Sequence, residues 1–154
     1  MRLVVAVVGK ARNAALSEAI RDYEKRAARY WPLDVHEVRE ERATGSSIER
    51  VKEREGERLA ERIPARAQTV VCEEGGRALD SSQFAELLLR TREEDRDLAF
   101  VIGGAFGLTD TVSSRATLKL SLAPWTLPHE IARLVLVEQI YRAGTIVRGE
   151  PYHK

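Results

Sequence analysis

Two spacings of apolar residues alternate along the chain. Leu3-Val4-Val5-Ala6-Val7-Val8 is an unbroken, largely β-branched run ending at Gly9, the pattern of a strand covered on both faces of a parallel sheet. Leu16, Ile20, Tyr23, Ala27 and Tyr30 then fall at helical spacing and predict a helix from about residue 14 to 30, closed before Pro32. Leu33 to Arg39 alternates imperfectly and reads as a strand. Ser46 with Glu49 has the spacing of a capping box, and Ile48, Val51, Leu59 and Ile63 draw a narrow apolar stripe on a highly charged helix that ends at Pro64. Thr69 to Cys72 is a further buried strand. The turn-rich Gly75-Gly76 follows, and Ser81 or Ser82 caps a helix bearing Phe84, Leu87 and Leu88. Leu98 to Ile102 is the strongest internal strand, running directly into Gly103-Gly104-Ala105-Phe106-Gly107. A short helix near Thr109, a strand from Leu118 to Leu122, a proline-stiffened loop to Pro128 and a helix opened by His129 complete the order, with a tail from Val147 to Lys154. Strand and helix alternate throughout, which predicts an α/β layered domain with a mainly parallel sheet flanked by helices.

A chain of 154 residues is expected to form one domain, spanning 1–154, with a core that needs no covalent staples. Its 25 basic and 24 acidic residues leave a formal charge of +1, so a grip on nucleic acid through phosphates alone is excluded as the main mode of binding. An RNA partner would have to be met by a local patch or presented by a pre-arranged assembly. The eight acids and seven bases between Glu37 and Arg62 nearly cancel and read as a solvated helix laced with i,i+4 pairs. Lys10, Arg12, Arg21, Lys25, Arg26 and Arg29 outweigh Glu18, Asp22 and Glu24, mostly as a solvated face, with a contact to a larger assembly as the second reading; for residues 37–62 the second reading is a nucleic-acid arm. The single cysteine, Cys72, excludes an intrachain disulfide, and the scattered histidines offer no metal-ligand spacing, so no metal is expected. The longest apolar run has six residues against the roughly 20 of a membrane span, so no membrane partner is expected and a cytoplasmic location is.

Ligands of parallel sheets settle at the carboxyl ends of the strands, and three loops there are unusual: those after Cys72, Ile102 and Leu122. The glycines of residues 103–107 permit close backbone approach, but G-G-x-x-G on the fourth strand is not a dinucleotide fingerprint, and no phosphate-binding loop occurs. Taken alone, a ligand role and a plain turn fit it equally. His129-Glu130 fails as a zinc-protease motif because Arg133 stands where the second histidine belongs. The tail Gly149-Glu150-Pro151-Tyr152-His153-Lys154 gathers a phenol, an imidazole and an amine. These groups stack on bases, take protons and pair with phosphate, although an untethered terminus is the equal alternative.

Taken together, Gly103-Gly104-x-x-Gly107, the loop Leu120 to His129 with its Thr126-Leu127-Pro128-His129, the helix carrying Arg133 and Tyr141-Arg142, and the terminal Pro151-Tyr152-His153-Lys154 resemble the ribosomal RNA large-subunit methyltransferase H family. These are small members of the SPOUT class, and the resemblance covers the whole chain, including Glu55-Gly56-Glu57 at its midpoint. It implies a carboxyl-terminal trefoil knot, which no periodicity argument reaches. It implies a homodimer, S-adenosylmethionine as methyl donor, and methylation of N3 of a pseudouridine in 23S rRNA on the assembled ribosome. Carried over position by position, the donor would be lined by Cys72, Gly103, Gly104 and the loop Leu122, Ala123, Pro124, Trp125, Thr126 and Leu127. The family commonly has a larger aliphatic residue at position 72 and methionine or leucine at 125. His153 would take the N3 proton with Tyr152 as its positioning or stacking partner. Lys154 and Arg142 would hold phosphate or developing negative charge, His129 would be the reserve base, and the tail would reach the other subunit's pocket. The rival reading is a non-catalytic ribosome-associated RNA-binding protein.

Overall fold

A computed structural model describes residues 1–45 and 47–153. The alternation read from the sequence is adopted: β1 (Leu3–Val8), α1 (Ala14–Ala27), β2 (Leu33–Val38), α2 (Ile48–Ala60), β3 (Gln68–Ala78), α3 (Ser81–Glu93), β4 (Leu98–Ile102), α4 (Asp110–Ser113), β5 (Leu118–Ser121) and α5 (His129–Val147), then a 3-10 turn, Pro151–His153. The strands are parallel in the order β2-β1-β4-β3-β5. Helices cover both faces, which is why β1 and β4 can be apolar at every position. Leu3, Val5, Val70, Phe100 and Leu120 pack with Phe84 and Leu88 of α3 and Leu136 and Ile140 of α5. Val4, Ala6, Val71 and Val101 pack on the opposite face with Leu59 of α2 and Val112 of α4. Register pairs Val7 with Ile102 and Cys72 with both Ile102 and Leu120, so the carboxyl ends of β1, β4, β3 and β5 lie abreast.

Four local features depart from the sequence expectations. Helix α1 stops at Ala27, and the turn that follows brings Trp31 into the core, where its indole N–H donates to the Ile140 carbonyl at 3.0 Å. Strand β3 does not turn at Gly75-Gly76 but continues to Ala78 past a register irregularity between Cys72 and Arg77. A Cβ at Gly76 would lie 2.6–2.8 Å from the backbone of Lys119 and Leu120, so this glycine permits close approach of β5. The cap of α3 is Asp80 rather than Ser81 or Ser82: the Gln83 N–H donates to Asp80 Oδ1 at 2.8 Å, and the Asp80 N–H donates to Gln83 Oε1 at 3.0 Å. Helix α2 ends at Ala60 and is capped by Ser47, which accepts from the Arg50 N–H at 3.2 Å; Ser46 lies outside the described residues.

The charged face of α2 also differs from the expected ladder. Arg54 (3.3 Å) and Arg58 reach back to Glu41 in the preceding loop and hold its carboxyl below the usual carboxylate range, the Arg58 hydrogen bond contributing most. Glu55 is not solvated at all: only 2% of it is exposed.

Candidate active site

A cleft of about 670 Å³ opens where the carboxyl ends of β3, β4 and β5 meet the start of α5. Its size suits a drug-sized ligand. Cys72, Glu73 and Glu74 come from β3, Gly103 and Gly104 from the end of β4, and Leu122, Ala123, Trp125, Thr126 and Leu127 from the loop after β5; His129 and Ala132 of α5 complete the wall. Of the donor residues expected from the sequence, Pro124 alone does not line the cleft; it is exposed.

Glycine is required at the floor for a steric reason. A Cβ at Gly103 would lie 2.9 Å from the Leu108 side chain, and one at Gly104 would lie 2.6 Å from Glu55 Oε2 and 3.0 Å from Val8. The space behind both residues is already filled. Gly107, with φ +80°, closes a tight turn through its N–H to the Gly104 carbonyl at 3.1 Å. The opposing loop is tied down at two points: Thr126 Oγ1 donates to Glu74 Oε2 at 2.7 Å, and Ser121 Oγ donates to the Ala123 carbonyl at 2.7 Å. Such a wall presents backbone groups and apolar side chains with little freedom left to lose on binding. Cys72 is partly exposed, and desolvation pushes its thiol up to about 12, which favours the neutral thiol over the nucleophilic thiolate.

His129 begins α5 at the mouth of the cleft, with Nε2 3.3 Å from where a Cβ on Gly9 would stand. Arg133, one turn on, is a buried strut: its Nε and Nη2 donate to Glu24 Oε1 at 3.0 and 2.7 Å, and its Nη1 lies 3.5 Å from Glu37. It ties α5 to α1 and β2 and is not free for substrate.

The remaining predicted residues assemble elsewhere. Arg142 donates from Nε (3.1 Å) and Nη2 (2.6 Å) to Glu138 Oε1, and the Tyr152 hydroxyl donates to the same oxygen at 3.0 Å while lying 3.2 Å from the Tyr23 hydroxyl. The Tyr152 ring packs on Tyr141 at 4.6 Å and under the Arg142 guanidinium at 4.8 Å. Desolvation, then hydrogen bonds to Tyr23 and Glu138, push the Tyr152 phenol well above its ordinary value, so it stays a neutral donor. Tyr30 bonds Glu150 and is raised chiefly by that bond. His153 is exposed, and Lys154 lies outside the described residues. Glu138 stands nine residues beyond His129 on α5, about 14 Å along its axis. Thus the chain holds a cleft with His129 at the start of α5, and Arg142 and Tyr152 meet on Glu138 further along the same helix. Sequence reasoning missed Glu138, although its i,i+4 spacing to Arg142 was a legible signal.

Among the described residues, no group of three or more His, Cys, Asp or Glu side chains is placed to hold a metal ion, and no helix is long and apolar enough to cross a membrane.

Residues 1–153 match the family described as "Predicted SPOUT methyltransferase". A relative from Gemmatimonas aurantiaca named "Ribosomal RNA large subunit methyltransferase H" is 60% identical over 154 residues, covering the full length of both chains. A relative of the same name from Syntrophotalea carbinolica is 42% identical, covering 99% of each. A solved structure, that of a probable methylase family protein from Haemophilus influenzae Rd KW20, is similar in fold with a TM-score of 0.56 at 12% identity, covering 99% of this chain and 70% of that one. With this family model matching residues 1–153 and full-length relatives of this identity, the chain belongs to the SPOUT methyltransferase family.

Proposed function

We propose that this protein is a single-domain, cytoplasmic homodimer with a carboxyl-terminal trefoil knot that transfers a methyl group from S-adenosylmethionine to N3 of a pseudouridine in 23S rRNA on the assembled ribosome. The observation that carries this reading is the cleft at the ends of β3, β4 and β5, walled by backbone and apolar groups from 103–104 and 122–127. Adenine has apolar faces and polar edges, so such a wall reads it without charged side chains. The relatives' name supports the RNA target. A net charge of +1 supports a substrate presented by a particle instead of bare RNA.

In this reaction the sulfonium carbon–sulfur bond breaks as the carbon–N3 bond forms, and the N3 proton leaves to a base. His129 stands at the cleft mouth of its own protomer, and His153 would be delivered by a partner's tail. Tyr152, kept as a neutral phenol by its surroundings, positions rather than deprotonates. Arg142, already held on Glu138, and Lys154 would balance charge developing on the base or on phosphate. The two ends of α5 are brought together only if a second copy lays its tail over this cleft, which is the argument for a composite site.

Incubating intact ribosomes with the protein and a labelled donor, followed by mass analysis of the 23S rRNA, tests the reading. One methyl group on one pseudouridine is expected. Failure of the protein to bind S-adenosylmethionine in a calorimetric titration would favour the non-catalytic RNA-binding alternative, and a fully active monomer in sedimentation equilibrium would overturn the composite site.

A further inference from the structure

A second cleft, larger at about 1240 Å³, adjoins the first at the carboxyl ends of β1 and β2. The two share a wall: Ala105 lines both, and Gly9 of the larger cleft faces the His129 imidazole of the smaller. Its charges are unevenly spent. Glu40 pairs with Arg12 at 3.1 Å, Glu41 with Arg54 and Arg58, and Glu37 with Arg133 at 3.5 Å. Lys10, Arg39 and Arg42 also line the cleft, are exposed, and make no salt bridge among the described residues, although Arg39 lies near enough to Glu41 to help lower its carboxyl. Phe106, at the tip of the turn that separates the clefts, lines the larger one and is 42% exposed.

Resting on the function proposed above, we infer that this larger cleft seats the RNA strand flanking the target nucleotide, with Lys10, Arg39 and Arg42 on phosphates and Phe106 stacked on a neighbouring base. Three features select RNA as the occupant. Local acids are already neutralised, so the residual field is positive. An exposed aromatic beside cations is the platform on which unpaired bases stack. Finally, the smaller cleft is occupied by the donor in this reading, so a strand offering its base to the methyl group must run over the adjoining wall.

The test is co-sedimentation with intact ribosomes, without methyl donor, over a range of potassium chloride concentrations. Replacing all three cations (K10Q, R39Q and R42Q together) is expected to make the log–log salt dependence of binding shallower by about two to three. Phe106→Ala is expected to weaken binding roughly fivefold or more with the slope unchanged, and Phe106→Trp to restore it. Calorimetric affinity for S-adenosylmethionine should stay within about twofold in every variant, since none of these side chains lines the donor cleft. An unchanged salt slope overturns the inference. So does a shift in oligomeric state by light scattering in the triple variant, which would make this cleft a protein interface. Because binding is read without chemistry, altered slopes in a protein that methylates nothing would uphold this cleft while sinking the proposed reaction.

Discussion

The two ends of helix α5 are built on opposite principles. Near His129 the surroundings are open and shaped by absent side chains at Gly103 and Gly104. Toward Arg148 they are closed: Tyr23, Tyr30 and Tyr152 pack around Tyr141 at 4.6–6.0 Å, with Glu138 accepting from Tyr152 and Arg142 and Glu150 accepting from Tyr30. Binding capacity and packing density have thus been separated along one element. A site needs unfilled space and unspent hydrogen-bonding groups, whereas a fastening for a chain terminus needs both consumed.

Removing Tyr152 to Lys154 should break the comparison hardest. Methyl transfer to ribosomes is expected to fall by about 10²–10⁴ or below detection, as for loss of a proton acceptor and its positioning partner, while donor binding by calorimetry stays intact. Near-normal turnover would mean that the closed end only fastens the chain. Next in size is Gly144→Ala. A Cβ there would sit 2.4–2.8 Å from the Tyr30 ring, so overpacking should outweigh the gain in helix propensity and destabilise the fold by about 1–3 kcal/mol in urea unfolding. Full stability would show the tyrosine cluster to be loose. At the open end the opposite pattern is expected: Trp125 is 75% exposed on the cleft rim, so Trp125→Ala should change stability by no more than about 0.5 kcal/mol while weakening donor binding.

The smallest effect concerns Glu55, behind the glycine floor. Its Oε1 accepts the Glu41 N–H at 3.0 Å, Oε2 has no hydrogen-bond partner, and desolvation holds the carboxyl above its ordinary value of 4.5. A raised acid favours its neutral form in the folded state, so that stability is present below the unfolded value and lost as pH rises through the folded one. Glu55→Gln keeps the acceptor and removes the charge. Its urea midpoint should match the parent protein in acid and exceed it at about pH 8; a constant offset at both pH values would assign the effect to packing.

Most of the frame was legible because local patterns report burial directly. The unbroken runs of β1 and β4 declared a sheet covered on both sides, and their bounds, Leu3–Val8 and Leu98–Ile102, stand as read. Misreadings arose wherever a distant segment decided the outcome. Gly75-Gly76 has the composition of a turn, yet the backbone of β5 pressing on Gly76 keeps it in a strand. Glu55 belongs by composition to a solvated face, but α2 lies against β1 and α4, and that packing sinks it. At α3, Asp80, Ser81 and Ser82 are all competent caps, and the reciprocal bond from Gln83, three residues on, sets the cap at Asp80.

For the site, the residue types and their loops were readable, and the family resemblance named most of what lines the cleft. Tertiary structure decided which of them meet: Cys72, Gly103, Leu122 and His129 converge, while Tyr152 and Arg142 close on Glu138 further along α5. The division has a physical reason. Hydrophobic period is a property of neighbours in sequence and survives in the bare chain. A cleft is made by parallel register, steric exclusion behind two glycines and one helix spanning two environments, and those exist only after segments dozens of residues apart have packed.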